Sequence, residues 1–582
     1  MILQALYDYY ERKAQDQESG IAPVGFEWKE IRFLIVIDAD GNVKSLENTR
    51  EGTGKQSVKK MFLLPKSAKS TGSNAWQTTF LLWDHYGYVL GYPKEDEPDR
   101  AKALAMAEKQ LRTFIDKLFS LPVQVKADPS VAAVLKFYEK EEYKKVPTLD
   151  NWSECCGISG CNLTFRLMGE TEPVTGREVV ITYHKAIALL PDKTETYEAN
   201  CLITGKKGIV QRLSASTAIS GGQASGKLVG FQKDSGFDSY GKEQGFNAPV
   251  SKYAHAAYTT ALNTLIKGET HMLVGDTTTV FWAARPAQLE NDFSLFFTSS
   301  PKDDPDQGVR AVRQLYESIA AGQLSAEDSN RFYVLGLAPN AARIAVRFWV
   351  QGTVRDFAYR IKAHFDDLDI ARGPKDDEYF SLHRLLVHTA LEFKISNVPP
   401  NLAGAVMQAI LNGTSYPATL LQQCVRRIRA ERNVTRIRAA IIKAYLNRHN
   451  RIYQKIAKEV FTVSLDKTNM NPAYRLGRLF SVLELIQEKA SPGINTTIRD
   501  RFYGAAASSP VTVFPQLLKL KNHHVAKLPT RSKVYFESLI GEIVDGIKAE
   551  MPAHLALEDQ GRFAVGYYHQ RQDYFTKKNE NR

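Results

Sequence analysis

The sequence predicts an α+β chain: a mixed N-terminal α+β region of two or three subdomains followed by a C-terminal α-helical bundle. Three observations carry this. Short runs with strand character recur up to about residue 390, and past Ser396-Asn-Val-Pro-Pro-Asn401 they vanish. From there on, apolar residues repeat at the three- and four-residue spacing of a helix face. At 582 residues the chain also exceeds the size at which one core stops growing, so several domains are expected. The expected division is 1–150 (α+β), 151–300 (α+β with glycine-rich loops), 301–397 (connecting α+β) and 398–582 (helical).

Taken in order, Arg32 to Val43 reads as a hairpin, with the apolar run Phe33-Leu-Ile-Val-Ile37, a turn through Asp40-Gly41 and a return strand. Phe80 to Tyr92 predicts two short strands about an Asp-His-Tyr-Gly turn. Asp99 to Leu118 predicts a helix, with Leu104, Leu111, Phe114 and Leu118 on one stripe and Pro122 beyond its end. Strand-like runs follow at Asn162–Leu167, Val179–Tyr183, Leu228–Phe231, Met272–Trp282, Phe332–Leu337 and Arg343–Trp349. Helices are predicted over Ala403–Leu411, Ala418–Arg429, Thr435–Arg448, Tyr474–Lys489 and Val511–Leu520. Pro472, Pro492, Pro510, Pro515 and Pro529 fall near their ends. This bundle is expected to carry basic outer faces.

Composition narrows the function classes. No window approaches the run of about eighteen apolar residues that a membrane span needs. Asp8, Glu11 and Asp16 stand where a signal peptide requires a basic head, and five cysteines, two adjacent, fit a reducing compartment. A cytoplasmic location is therefore expected. The formal charge of +12 is concentrated. Between Val425 and Arg451 lie Arg426, Arg427, Arg429, Arg432, Arg436, Arg438, Lys443, Arg448 and Arg451, against Glu431 alone. A dense patch of one sign repels itself unless a polyanion meets it, and Arg suits phosphate. Nucleic acid is the expected partner.

The segment Ser235–Ser251 is polar, aromatic and punctuated by Gly236, Gly241 and Gly245. Tyr240, Lys242, Gln244 and Asn247 supply a stacking ring, a cation and two amides, the chemistry that grips a phosphate backbone and reads base edges. Upstream, Gly221-Gly-Gln-Ala-Ser-Gly226-Lys227 falls short of a nucleotide-binding P-loop, because Leu228 replaces the metal-binding hydroxyl. Gly54-Lys55 fails likewise at Gln56. The first loop retains the option of an anion-binding nest. Cys155, Cys156 and Cys161 match no zinc spacing and read as buried thiols, and Asp38, Asp40 and Asn42 read as a hairpin turn, since Thr49 sits where a calcium loop needs Glu. His523-His524 reads as a phosphate contact or plain surface. With no acid–base pair, nucleophile–His set or carboxylate cluster at convincing spacing, the expectation is a reader and scaffold, with no catalytic residue, metal or cofactor.

Several blocks together resemble one family. They are Met1-Ile-Leu-Gln-Ala-Leu-Tyr-Asp-Tyr-Tyr-Glu-Arg12, Phe80-Leu-Leu-Trp-Asp84, Cys201-Leu-Ile-Thr-Gly205, the Ser235–Ser251 segment, Gly275-Asp-Thr-Thr-Thr-Val-Phe-Trp282 and Asn471-Pro-Ala-Tyr-Arg-Leu-Gly-Arg478. In order and spacing they are similar to the large subunit of the type I-C CRISPR Cascade complex. The chain departs from that pattern at Ser73-Asn-Ala-Trp-Gln77. The resemblance implies a subunit that recognises the protospacer-adjacent motif in duplex DNA, promotes opening and stabilises the R-loop. Implied partners are the crRNA-containing backbone and handle-binding subunits, small subunits, the displaced strand and a recruited helicase–nuclease. Lys69, Thr71, Asn74, Gln223, Tyr240, Lys242, Gln244 and Asn247 are then expected around the motif-bearing duplex. Arg426, Arg427, Arg429, Arg432, Arg436, Arg438, Arg475, Arg478, Arg499 and Arg501 are expected to line the strand path. The block after Met470 is similar to the small subunit, which such systems can produce by restarting translation inside the large-subunit message. The residues alone also permit a nuclease with a scattered active site, or a basic RNA-binding scaffold.

Overall fold

The computed structural model describes residues 1–51, 58–67, 72–94, 99–190, 197–233, 236, 238–323, 329–341, 343–453, 461–547 and 550–580. They form two compact units: Met1–Ser216 with Val229–Thr264, and Thr217–Leu228 with Leu265–Arg582.

The first unit is built on a four-stranded sheet. Its strands are β1 (Phe33–Ile37), β2 (Val43–Asn48), β3 (Trp83–His85) and β4 (Asn162–Leu167), in the order β2-β1-β4-β3. The predicted hairpin β1–β2 is antiparallel, and β1 runs parallel to β4. Phe33, Ile35 and Ile37 face a core that includes Phe114, Val134 and Phe137 from the intervening helices, while Leu34 points to the other face with Trp83. Gly41, at φ +80°, closes the hairpin turn where a Cβ would strike the backbone of the helix Pro129–Glu139. The Asp38 carboxylate accepts from the backbone N–H of Asp40 and Asn42, as a turn requires.

Three local expectations are corrected. Tyr86–Val89 is a helical turn instead of a strand, because the His85 ring accepts the Gly87 N–H as an N-cap. The β-branched run Val179–Tyr183 lies in the helix Glu178–Ala188, where Val180 and His184 share one buried face. Leu228–Phe231 forms no strand; only Lys227 makes a single bridge, to Arg343.

The second unit opens with an antiparallel meander of β5 (His271–Val274), β6 (Thr277–Ala283), β7 (Arg331–Asn340) and β8 (Arg343–Thr353). A Thr353/Asp356 capping box turns β8 directly into the helix Val354–Leu368. The helical expectations hold and extend: Leu402–Asn412, then α1 (Ala418–Glu431), α2 (Arg436–Tyr453), α3 (Pro472–Ala490), α4 (Ile498–Ala506), α5 (Pro510–Ala526), α6 (Thr530–Asp545) and α7 (Leu557–Glu580). Pro472 and Pro510 open their helices, whereas Pro515 lies inside α5.

One continuous core runs from Met272 on the sheet through α1, α2, α3 and α7, crossing the boundary expected near 397. Helix α3 crosses α7 backbone to backbone. A Cβ on Gly477 would strike the Phe563 carbonyl, and one on Gly566 the Tyr474 carbonyl. Gly561 of α7 packs instead against side chains, those of Ile442 and Leu421. Among the described residues no helix is long and apolar enough to cross a membrane.

Candidate nucleic-acid interface

In the first unit the loop after Asp238 ends in a tight turn. Lys242 N–H donates to the Ser239 carbonyl (2.9 Å), and both central residues, Tyr240 (φ +51°) and Gly241 (φ +72°), occupy the left-handed region that a type I′ turn demands. Tyr240 is 99% exposed, the most exposed aromatic side chain among the described residues.

The turn is braced from below. Asn247 Nδ2 donates to the carbonyls of Lys242 (3.0 Å) and Gln244 (3.1 Å), and its Oδ1 accepts from the Ser239 backbone N–H and hydroxyl. Asp238 Oδ1 accepts the Gln244 N–H at 2.7 Å. Gln244 Oε1 accepts from Arg212 (3.1 Å), and Glu243 pairs with Lys233 (3.1 Å). Gly245 lies so close to the Gln211 and Arg212 carbonyls that any side chain would collide with them. An Asn side chain has two donors and two acceptor lone pairs, and here all are engaged. Asn247, expected as a base reader, thus has its amide taken up by its own loop, and Gln244, expected likewise, is held at Oε1 by Arg212. Lys242 places its ammonium 5.8 Å from the Tyr197 ring and remains half-exposed.

Of the other members of the expected duplex set, Asn74 and Gln223 are among the described residues. Asn74 is exposed on the 3-10 turn Gly72–Gln77, which Tyr88 holds by donating its hydroxyl to the Ala75 carbonyl (2.6 Å). Gln223 is exposed but belongs to the second unit. In its loop Gly222 N–H donates to Ile219 and Gly226 N–H to Gln223, so those donors of the expected anion nest serve the turn itself. Lys69 and Thr71 lie outside the described residues.

The arginines divide sharply. Arg426, Arg429, Arg432 and Arg501 are exposed. Arg438, Arg475 and Arg478 are buried, as are Lys443 and Arg448, so these five cations do not contribute to the basic outer faces that the sequence predicts. Arg438 pairs with Glu431 (2.6 Å) and donates to the His388 carbonyl. Asp367, itself buried, receives Arg448 at 2.7 Å and Arg451 at 2.8 Å, and its backbone carbonyl receives Lys443. Arg475 donates to the Glu542 and Ile543 carbonyls and so caps the C-terminus of α6, while Arg478 reaches Glu542 (2.8 Å) and Gln570 (3.0 Å). Arg427 is largely covered beside Glu431, Arg436 packs 4.5 Å over Phe380 and donates to the Asp377 carbonyl, and Arg499 lies 3.6 Å from the buried Glu484. Burial of an unpaired cation would be prohibitive, and these pairings are what permit it.

A family model described as CRISPR-associated protein (Cas_Csd1) matches residues 6–575. The chain belongs to this family. It is thereby a CRISPR-associated, Cascade-type subunit, of the type I-C large-subunit kind. No curated protein matches the chain.

For this Csd1 member the block Asn471–Arg478 acquires a physical reading. Asn471 Oδ1 accepts from Ala473 and Tyr474 N–H as the N-cap of α3, Pro472 is its first residue, the Tyr474 hydroxyl meets His569 (3.0 Å), and Gly477 makes the helix crossing. With Arg475 and Arg478 also committed inward, the block is a packing motif. One basic surface escapes a count of arginines: the corner joining α5 to α6, built mainly from lysines. The legible signal was the absence of any Asp or Glu from Arg501 to Phe536.

Proposed function

We propose that this chain is the motif-reading subunit of a type I-C crRNA-guided surveillance complex. It inspects a short element of duplex DNA, starts strand separation and holds the displaced strand, while guide pairing supplies sequence specificity. The observation that carries this is the braced turn with Tyr240 at its tip. An aromatic ring held out on a rigid hairpin is suited to insert between base pairs and unstack them. Lys242 beside it supplies a phosphate contact, and Asn74 supplies an exposed amide for groove edges. The exposed Arg426, Arg429, Arg432 and Arg501 serve the displaced strand electrostatically. No bond-making or bond-breaking step is assigned to this chain; cleavage falls to a recruited helicase–nuclease. The portion from Met470 onward, roughly a hundred residues in several packed helices, has the size of a self-standing small subunit.

The test uses the assembled, guide-loaded complex with Tyr240→Ala and, separately, Lys242→Ala. Opening of a motif-bearing duplex is followed by the fluorescence of 2-aminopurine placed beside the motif. Tyr240→Ala should slow opening at least tenfold while complex assembly is unchanged, and Lys242→Ala should weaken duplex binding about equally for motif-bearing and motif-free DNA. Opening at the parental rate by Tyr240→Ala refutes the wedge.

A further inference from the structure

We propose that Cys155 and Cys161 form a reversible oxidation site in the first unit, a dithiol that a hydroperoxide closes into a disulfide staple beside β4 and that a thioredoxin-class dithiol reopens. Both side chains are buried, Cys155 on the short helix Trp152–Cys156 and Cys161 immediately before β4. Two turns fold the intervening chain back on itself. Ile158 N–H donates to the Cys155 carbonyl (3.2 Å) and Cys161 N–H to the Ile158 carbonyl (3.0 Å), with Gly160 between them at φ +66°. That return brings the two sulfurs within hydrogen-bonding reach, the Cys155 thiol donating to Cys161. Three of the five cysteines of the chain fall in this one loop. Among the described residues no third His, Cys, Asp or Glu side chain joins the pair as a metal site would require.

The two thiols are unequal, and the inequality assigns their roles. Cys161 is held below the ordinary thiol range, first by the bond from Cys155 and, against the opposing effect of burial, by the Arg32 guanidinium. Cys155 is held up by that same bond and by burial, and so keeps its proton. The thiolate is the nucleophile in this chemistry. Cys161 attacks one peroxide oxygen, the O–O bond breaks, and a sulfenic acid forms while hydroxide leaves and takes up the proton that Cys161 had lost. The Cys155 sulfur then attacks the sulfenic sulfur; the S–S bond forms, the S–O bond breaks, and the hydroxyl departs with the Cys155 proton as water. Two thiols and one hydrogen peroxide thus give one disulfide and two waters. Closure is felt by the neighbouring element, because Tyr86 N–H donates to the Cys161 carbonyl (3.0 Å) and Gly160 N–H to the Tyr86 hydroxyl (3.4 Å). Cys156, half-buried with its thiol on the Ser153 carbonyl (3.5 Å), is the better exposed sulfur of the loop and serves as the internal control.

The experiment takes the full chain, reduced and then exposed to millimolar hydrogen peroxide. Remaining thiols are blocked with iodoacetamide in denaturant, the disulfide is reduced, and the thiols so released are labelled with N-ethylmaleimide. Tandem mass spectrometry then places each label without any substitution in the chain. Maleimide should appear on Cys155 and Cys161, and iodoacetamide on Cys156, Cys201 and Cys424. Thioredoxin with its reductase and NADPH, added before blocking, should return the first two to iodoacetamide. Cys156→Ser should leave the rate of closure unchanged. In the oxidised chain, hydrogen exchange of the Tyr86 amide should slow at least about tenfold, because a closed loop has fewer opened states to visit. Maleimide on Cys156, sulfinic acid in place of a maleimide label, or a pair still alkylated after Cys156 has been oxidised each overturns the proposal. So does a disulfide that thioredoxin cannot reopen, or one that leaves Tyr86 exchange unaltered, since neither is a reversible staple. None of these outcomes bears on the duplex-reading function, which stands or falls on Tyr240.

Discussion

A tyrosine at φ +51° whose ring is almost wholly in solvent gains nothing from burial and carries backbone strain that glycine would avoid. Tyr240→Gly should therefore raise thermal stability slightly, by up to about 1 kcal/mol, while opening of the motif-bearing duplex falls at least tenfold. A stability gain with undiminished opening would mean that the strain serves something other than a wedge. Asn247→Ala leaves the ring in place but removes its support, and should lower opening without changing the affinity for motif-free duplex, read by the same fluorescence. Tyr240 was legible in the sequence as a ring among glycines. The bracing role of Asn247 was not, because an Asn free to read a base and an Asn saturated by its own loop differ only in where Asp238, Ser239 and Lys242 fold.

At the level of elements, charge counting located the arginines but not the side of the helix on which they work. Asp367 precedes Arg448 by 81 positions and Glu542 follows Arg478 by 64, so no local pattern announces those pairs. Helix positions themselves were readable from apolar spacing, since α1, α2 and α3 bury long stripes. The Val179–Tyr183 helix was not, because β-branched residues favour strands until tertiary packing decides otherwise. The two classes of arginine should separate in measurement. Arg478→Ala leaves the buried Gln570 unsatisfied and removes the partner of Glu542, and should cost about 2–3 kcal/mol, whereas Arg426→Ala should stay within about 0.5 kcal/mol by denaturant unfolding. Equal losses would contradict this division. Gly477→Ala or Gly566→Ala should each destabilise by at least about 1–3 kcal/mol, since the opposing atoms are backbone and cannot step aside.

On the scale of the molecule, the change of character near residue 400 was visible in composition, yet the core ignores it and joins the meander to the helices. That joint core fixes how the second unit responds to acid. His569 is pushed down to about 3 by burial and then by Lys443, and His364 is lowered well below its ordinary range by burial and then by Arg448. Both are neutral when folded and take up a proton on unfolding once the pH drops below about 6.5. Their contribution is thus complete above that pH and is lost as pH falls from about 6.5 toward 3, by up to about 1.4 kcal/mol per pH unit for each. Thermal unfolding of the whole chain between pH 7 and 4.5 should show this slope, and His569→Gln should flatten it; an unaltered slope would exclude that histidine.

The glycine crossing has a corollary for biogenesis. A polypeptide begun at Met470 would keep both halves of that crossing, α3 and α7. What it forfeits is the cover that Leu421 and Ile442 give to Gly561, together with the Ala371 carbonyl that receives the Tyr568 hydroxyl. Liberated, it would wear a bare oily stripe along its last helix, and the natural remedy is a neighbour whose own two helices imitate α1 and α2.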